Sequence, residues 1–373
     1  AASGPVTVRL WRGTGQGNDA EGDKLVGIEN VIGSGFDDVL VGASGFGIAD
    51  NQLEGQDGDD LLRGAGGNDR LLGGNGDDTL DGGADADALF GGDGTDTADY
   101  RTASGPVTVR LWRGTGQGND AEGDKLVGIE NVIGSGFDDV LVGASGFGIA
   151  DNQLEGQDGD DLLRGAGGND RLLGGNGDDT LDGGADADAL FGGDGNDTAD
   201  YRAASGPVTV RLWRGTGQGN DAEGDNLVGI ENVIGSGFDD VLVGASGFGI
   251  ADNQLEGRAG DDILRGAGGN DRLFGGNGDD ILDAGLGSDW LEGGAGADTF
   301  VIVAGSGGDT IVDFEPGRDL LDLSRIGGLQ DLDDVGVAAL DGETAGLAIT
   351  AGDVTVTLLG LAPDDLDAAD ILF

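Results

Sequence analysis

The sequence contains no cysteine and no histidine. Without thiols there is no disulfide staple and no thiolate chemistry. Without imidazole, zinc sites of the usual kind, Ser-His-Asp triads and histidine general bases are all excluded. Cations are scarce: 19 Lys and Arg stand against 72 Asp and Glu, a formal charge of -53. That balance excludes nucleic acid and anionic membrane surfaces as natural partners and favours cations. Aromatic residues make up 5% of the chain, so without metal its composition lies near that of disordered proteins. No apolar run approaches the about 18 residues that a membrane-spanning helix needs. The first residue is Ala1 and the opening residues do not read as a signal peptide, so the chain is expected to be a piece of something longer.

What the sequence does hold is 83 glycines, many of them at a fixed period. Gly55 to Asp99 reads as five consecutive nonapeptides starting at Gly55, Gly64, Gly73, Gly82 and Gly91. Each carries Asp at its sixth place (Asp60, Asp69, Asp78, Asp87, Asp96), and the eighth place holds Leu62, Leu71, Leu80, Leu89 and Ala98. Glycines at the first, second and fourth places suit a backbone that visits φ > 0 and brings its carbonyls close to something. The three residues after the Asp suit a very short strand with one inward side chain. So short a strand cannot bury its apolar side alone, and successive units must stack. The turns then stack as well, and two carboxylates ~5 Å apart repel by roughly 3 kcal/mol even at an effective dielectric of 20. A hard divalent cation taking six to eight oxygens, usually calcium, removes that repulsion. The plain alternatives are an acidic solvated surface and Asp residues that cap their own turns, but acids held at one phase over consecutive units argue for metal.

The run resembles the RTX (hemolysin-type) calcium-binding repeat, GGxGxDxUx. The resemblance implies an all-β fold, a right-handed parallel β-roll or β-solenoid with two nonads per coil. It also implies Ca2+ between a turn and the turn two nonads later, held by sixth-place carboxylates and glycine-position carbonyls. Five nonads then give about three ions per block.

A longer period overlies the nonads. Ser3 to Arg101 recurs as Ser104 to Arg202 with Asn196 for Thr95, and begins again at Ser205. The expected organisation is three tandem modules, 1–101, 102–202 and 203–312, and a C-terminal β cap with secretion signal over 313–373. Each module opens with alternating Val6, Val8 and Leu10, a longer strand with one buried face, followed by a polar loop from Gly13 to Gly22. Leu25, Ile28, Val31 and Ile32 mark less regular coils, and Asp38 with Leu40 restores the nonad phase. Gly45 to Ala49 reads as an insertion, Asn51 takes a sixth place, and Tyr100 is expected to plug the end of the apolar column.

The resemblance assigns metal binding to Asp38, Asp60, Asp69, Asp78, Asp87 and Asp96 in the first module. In the second it assigns Asp139, Asp161, Asp170, Asp179, Asp188 and Asp197, and in the third Asp240, Asp262, Asp271, Asp280, Asp289, Asp298 and Asp309. Carbonyl ligands are expected from the most regular turns, Gly73, Gly74 and Gly76, their copies Gly174, Gly175 and Gly177, and Gly275, Gly276 and Gly278. Turns where Gln56 or Ala65 replaces the second Gly, Asp85 the fourth, or Ala284 the first are expected to hold calcium more weakly.

After Gly305 to Ile311 the sequence changes character. Asp313-Phe314-Glu315-Pro316-Gly317-Arg318-Asp319 and Leu321-Asp322-Leu323-Ser324 resemble the C-terminal segment of serralysin-type proteases and other type I secreted RTX proteins. Val354, Val356 and Leu358 suit a small antiparallel cap. Asp370-Ile371-Leu372-Phe373 resembles the terminal export signal of that secretion class, the alternative being a last core strand.

The expected function is a calcium-binding region that folds on extracellular calcium, supports type I secretion and serves as a structural spacer, secreted or on the cell surface. Its partners are then calcium, the type I secretion machinery and, in a second reading, extracellular polysaccharide or a cell surface. That second reading, an adhesin, rests on Trp11, Trp112 and Trp213 with their flanking arginines; the alternative is that each Trp covers a coil edge. The acids are accounted for by the turns, so catalysis is not expected within this chain, although it could be the accessory tail of a secreted enzyme.

Overall fold

The computed structural model describes residues 2–43, 50–144, 151–245, 252–340 and 346–373. The expected insertion at Gly45 to Ala49 lies outside them. Among the described residues there is no α-helix; strands joined by tight turns and a few 3-10 turns make a parallel β-solenoid. By compactness the chain forms two units, Ala1–Gly183 with Ala189–Gly195, and Gly184–Asp188 with Asn196–Phe373.

The nonad generates this fold in a simple way. In the first unit Gln52–Asp57, Arg70–Asn75 and Ala88–Asp93 pair in parallel at an offset of one coil, with Leu53, Leu71 and Leu89 in line. The intervening nonads do the same on the facing sheet, where Leu61–Gly66 pairs with Thr79–Ala84, and Thr79–Ala84 with Thr97–Asp99. Alternate nonads therefore belong to opposite sheets, and every eighth-place side chain points between them. Leu62, Leu71, Leu80, Leu89 and Ala98 are fully buried, and each such Leu contributes about 1.5–3 kcal/mol. The strands are six residues long, twice the expected length, because they run on through the first three places of the next nonad. That extension puts the second place, at φ > 0, inside the ladder, as at Gly74 (φ 130).

The irregular half of the second module closes onto the block before it. Lys125–Val127 pairs with Ala88–Phe90, and Asn131–Ile133 with Thr97–Asp99. Leu126, Ile129 and Val132 are buried there, whereas their first-module counterparts Leu25, Ile28 (44% exposed) and Val31 are not. Tyr100 is buried, and its hydroxyl donates to Asp124 at 2.9 Å. It seals a joint inside the stack and does not end it, because strands of the next module pair onward.

The stretch read as a polar loop is a hairpin. Thr7–Arg9 pairs antiparallel with Thr14–Gln16 through a 3-10 turn at Leu10–Arg12 and a left-handed Gly13 (φ 63). The opening strand consequently stops before Leu10. Consecutive modules also swap sheets: Thr7–Arg9 lies beside Val39–Val41 and Leu61–Gly66 in one sheet of the first unit. Thr108–Arg110 joins the other sheet, through Thr115–Gln117 to Lys125–Val127 and Ala88–Asp93.

In the second unit the same coils run from Thr198–Asp200 and Thr209–Arg211 to Thr299–Val303 and Gly308–Ile311. An antiparallel meander of Gly336–Leu340, Gly346–Ala351 and Val354–Leu359 follows, and its last strand adds in parallel to Gly308–Ile311. Ile371–Leu372 pairs with Leu321 and Asp322, so the chain's final residues form a last core strand.

Candidate metal centres

The sixth-place Asp side chains are buried at the turn and joined in ladders. Asp60 N–H donates to Asp78 Oδ1 at 2.8 Å, and Asp78 N–H to Asp96 Oδ1 at 2.9 Å. On the opposite edge Asn51 N–H donates to Asp69 Oδ1 (2.6 Å) and Asp69 N–H to Asp87 Oδ1 (2.7 Å). The third module repeats this through Asp262, Asp280 and Asp298, and through Asp271, Asp289 and Asp309. In the second, Asp161 N–H donates to Asp179 Oδ1 and Asn152 N–H to Asp170 Oδ1, and Asp188 and Asp197 are likewise buried.

Each of these carboxylates has a second oxygen. Oδ2 of Asp60, Asp69, Asp78, Asp87, Asp96, Asp161, Asp262, Asp271, Asp280, Asp289, Asp298 and Asp309 is buried and accepts no hydrogen bond. A buried charged oxygen without a partner costs several kcal/mol, so a row of them calls for a positive group that the protein itself does not supply.

The glycines show where such a group fits. A Cβ at Gly73 would collide with Asp78 Oδ2 and lie 2.7 Å from the Gly91 carbonyl oxygen, and Gly174 and Gly275 stand in the same relation to Asp179 and Gly192, and to Asp280 and Gly293. The first place is therefore a cradle in which a carboxylate oxygen meets a carbonyl from the turn one coil later. At the second and fourth places Gly74 and Gly76, like Gly175, Gly177, Gly276 and Gly278, have φ between 113 and 133. A Cβ on any of these six would strike the carbonyl one coil before. No three carboxylates already converge on a point among the described residues. Acids arrive one per turn, so the remaining donors must be backbone carbonyls, a hard all-oxygen set that suits calcium.

Burial raises the acids, a backbone N–H opposes it, and the stacked neighbours add to it. Asp60 is pushed up to about 7 and Asp78 to about 6. Asp87, Asp161 and Asp262 reach about 8.

Three of the expected ligands differ. Asp38 accepts from Val6 N–H (2.7 Å), from Ser34 Oγ–H (3.0 Å) and from Ser34 N–H, so both its oxygens are occupied by protein donors. Asp139 and Asp240 repeat the arrangement with Val107 and Ser135, and with Val208 and Ser236. At Asn51 the amide does what a cation would do elsewhere: Oδ1 accepts from Ala43 N–H (2.9 Å) while Nδ2 donates to the Glu29 carbonyl (2.8 Å). The replaced glycines keep the turn geometry, with Gln56 at φ 97, Ala65 at φ 86 and Asp85 at φ 79. Ala284 is buried at its first place.

Sequence reasoning missed Asp124 and Glu130. Asp124 Oδ1 accepts Asp87 N–H (2.8 Å) and Glu130 Oε2 accepts Asp96 N–H (2.9 Å), continuing both ladders across the module joint. Asp225 and Glu231 do so at the next joint.

Trp11, Trp112 and Trp213 are each about half exposed, and each carries the following arginine over its ring at about 4.4 Å. Trp11 and Trp112 hang from opposite sheets of the first unit, so they do not form one strip.

Among protein families, the RTX calcium-binding nonapeptide repeat (4 copies) matches residues 47–80, 63–98, 148–181, 164–199, 249–282, 266–300 and 274–311. No curated protein matches. Among solved structures, the AlgE6R2 subunit of the Azotobacter vinelandii mannuronan C5-epimerase is 30% identical over 38% of this chain and 92% of its own, with a TM-score of 0.22. The extracellular lipase LipA from Serratia marcescens is 21% identical over 65% of this chain and 40% of its own, with a TM-score of 0.21. Neither likeness adds to what the repeats themselves establish. The phase of Asp, Gly and Leu, the β-solenoid they build and the family match agree: the nonapeptide blocks of this chain belong to the RTX calcium-binding repeats.

Proposed function

We propose that this chain is a calcium-gated folding region that remains unfolded where calcium is low and becomes a structural spacer outside the cell after type I export. The observation that carries the reading is the row of buried Oδ2 atoms without partners, with those of Asp60, Asp69, Asp78, Asp262, Asp271 and Asp280 set beside a carbonyl at the first-place glycine. Calcium would be held there by the sixth-place Asp residues and the first-, second- and fourth-place carbonyls, about three ions per block, and its charge would replace mutual repulsion by attraction. Affinity in the range of extracellular modules, roughly 10⁻⁴ to 10⁻³ M, keeps the chain ion-free in a cytosol and loads it outside. Binding free energy is then folding free energy. The final strand, Ile371–Leu372, supports an export role only in its sequence resemblance; in the folded chain it closes the last coil.

Circular dichroism during calcium titration and chelation tests this. The expected outcome is cooperative gain of β signal with calcium and its loss in EGTA. A chain that keeps its full β signal in EGTA would refute the reading.

A second reading, adhesion to extracellular polysaccharide, is supported by the exposure of Trp11, Trp112 and Trp213. It expects glycan retention to fall on Trp112→Ala while the calcium response stays intact. Unchanged retention would remove it.

A further inference from the structure

The third block carries a groove lined by side chains that the first two blocks do not have. Its volume is about 570 Å³, within the ~300–1,000 Å³ range of small-ligand sites. It runs over the outer surface of one sheet of the second unit, between two side-chain ladders that follow the coils.

One wall is the seventh-place row. Gln254, Arg272 and Trp290 are directly opposite one another in successive strands, one coil pitch or ~4.8 Å apart. The other wall is the fifth-place row, Asp252, Asn270 and Ser288, held rigid because Asn270 N–H donates to Asp252 Oδ1 (2.6 Å) and Ser288 N–H to Asn270 Oδ1 (2.9 Å).

The first two modules hold Ala88 and Ala189 where Trp290 stands. They also use the preceding arginine differently, since Arg70 and Arg171 lie 4.2 Å above the rings of Phe90 and Phe191. In the third module Glu292 replaces that phenylalanine. Among the described residues the Arg272 guanidinium has no ring beneath it and no ion pair, and no cation covers the Trp290 ring, which is 43% exposed. An indole face and a fork of donors are thus presented side by side, where in the other copies the guanidinium lies on a phenylalanine ring.

We infer that this groove is a binding site for a neutral oligosaccharide, a ligand beyond the calcium role proposed above. The C–H face of a sugar ring stacks on an exposed indole, and its hydroxyls, each both donor and acceptor, match amides, a guanidinium and carboxylates set in a row. The repeat of the walls along the coils suits an extended chain of sugar rings. Asp252 and Asp271 flank Arg272, and the formal charge of the chain is -53, so a polyanionic glycan is disfavoured.

The test uses the full chain folded in saturating calcium, with glucose, mannose and xylose hexasaccharides as neutral probes and a hexauronate as the charged one. Calorimetry is expected to show one site for a neutral hexasaccharide, and Trp290→Ala to weaken it by about tenfold or more. Ile281→Ala, at an exposed place on the opposite sheet and outside the groove, should bind like the parent. Circular dichroism on every variant confirms the calcium-folded state, so failure here is distinct from failure of calcium-gated folding. No binding of any neutral probe to folded protein, equal binding by Trp290→Ala, or tighter binding of the hexauronate would overturn the inference.

Discussion

The nonapeptide blocks and the irregular halves beside them are built on the same coil, yet they solve the problem of a buried acid in opposite ways. In the block, Asp78 accepts the N–H of Asp60, one coil before, on one oxygen and leaves the other without a donor. In the irregular half, Asp38 is saturated by Val6 and Ser34, and Asn51 replaces charge by an amide that bonds both ways. One region leaves carboxylate oxygens without a donor; the other is satisfied by its own chain. On the proposed function, metal dependence is then a property of donor supply and not of the solenoid as such.

The sharpest way to break this contrast is pH. The block acids are raised in the fold, Asp60 to about 7 and Asp87 to about 8, against an ordinary value of 3.8. The folded, calcium-free chain thus binds more protons than the unfolded one. Its stability is fullest below about pH 4 and is lost as pH rises through about 6 to 8. In EGTA, residual β signal should grow on acidification from pH 8 to 5. With calcium the direction reverses, because protons displace the ion from the same oxygens. A calcium-free signal that is flat over this range would sink the assignment of the acids as the destabilising element.

A paired substitution gives the next largest effect. Asp38→Ala leaves the Val6 and Ser34 donors buried and unpaired and should cost roughly 3 kcal/mol in calcium, with no change in the number of ions bound. Asp78→Ala should lower the ion count by one or two, measured by equilibrium dialysis, and should make the calcium-free chain easier to fold. If both variants changed the ion count alike, the two regions would not differ as described.

The smallest effect is expected from Asn152→Asp. Asn152 Nδ2 donates to the Glu130 carbonyl at 2.7 Å, and a carboxylate there would face that carbonyl instead. The variant should lose about 1–2 kcal/mol in EGTA and gain one calcium site. A loss of stability that calcium does not restore would mean that the irregular half cannot be converted.

The inward Leu column and the sixth-place Asp ladder were legible because both repeat at a period shorter than a coil. Asp124 and Glu130 were not, since they meet Asp87 and Asp96 across 37 and 34 residues, where the joint replaces the regular spacing. The self-sufficiency of Asp38 was hidden for a similar reason: its donor Val6 lies 32 residues away in a strand that reads as an unrelated opening. The hairpin at Thr7–Arg9 and Thr14–Gln16 was lost in a segment whose glycines read as loop, although Gly13 is what folds it back. Trp290 drew no notice because one residue at an outward place leaves the period intact.

The swap of sheets between consecutive modules has a geometric consequence. Within the first unit, the second module presents its copy of each outward feature from the sheet opposite to the one that carries the first. Trp11 and Trp112 cannot grip one flat surface together, so any gain from multivalency has to come from bridging two surfaces, one on each flank.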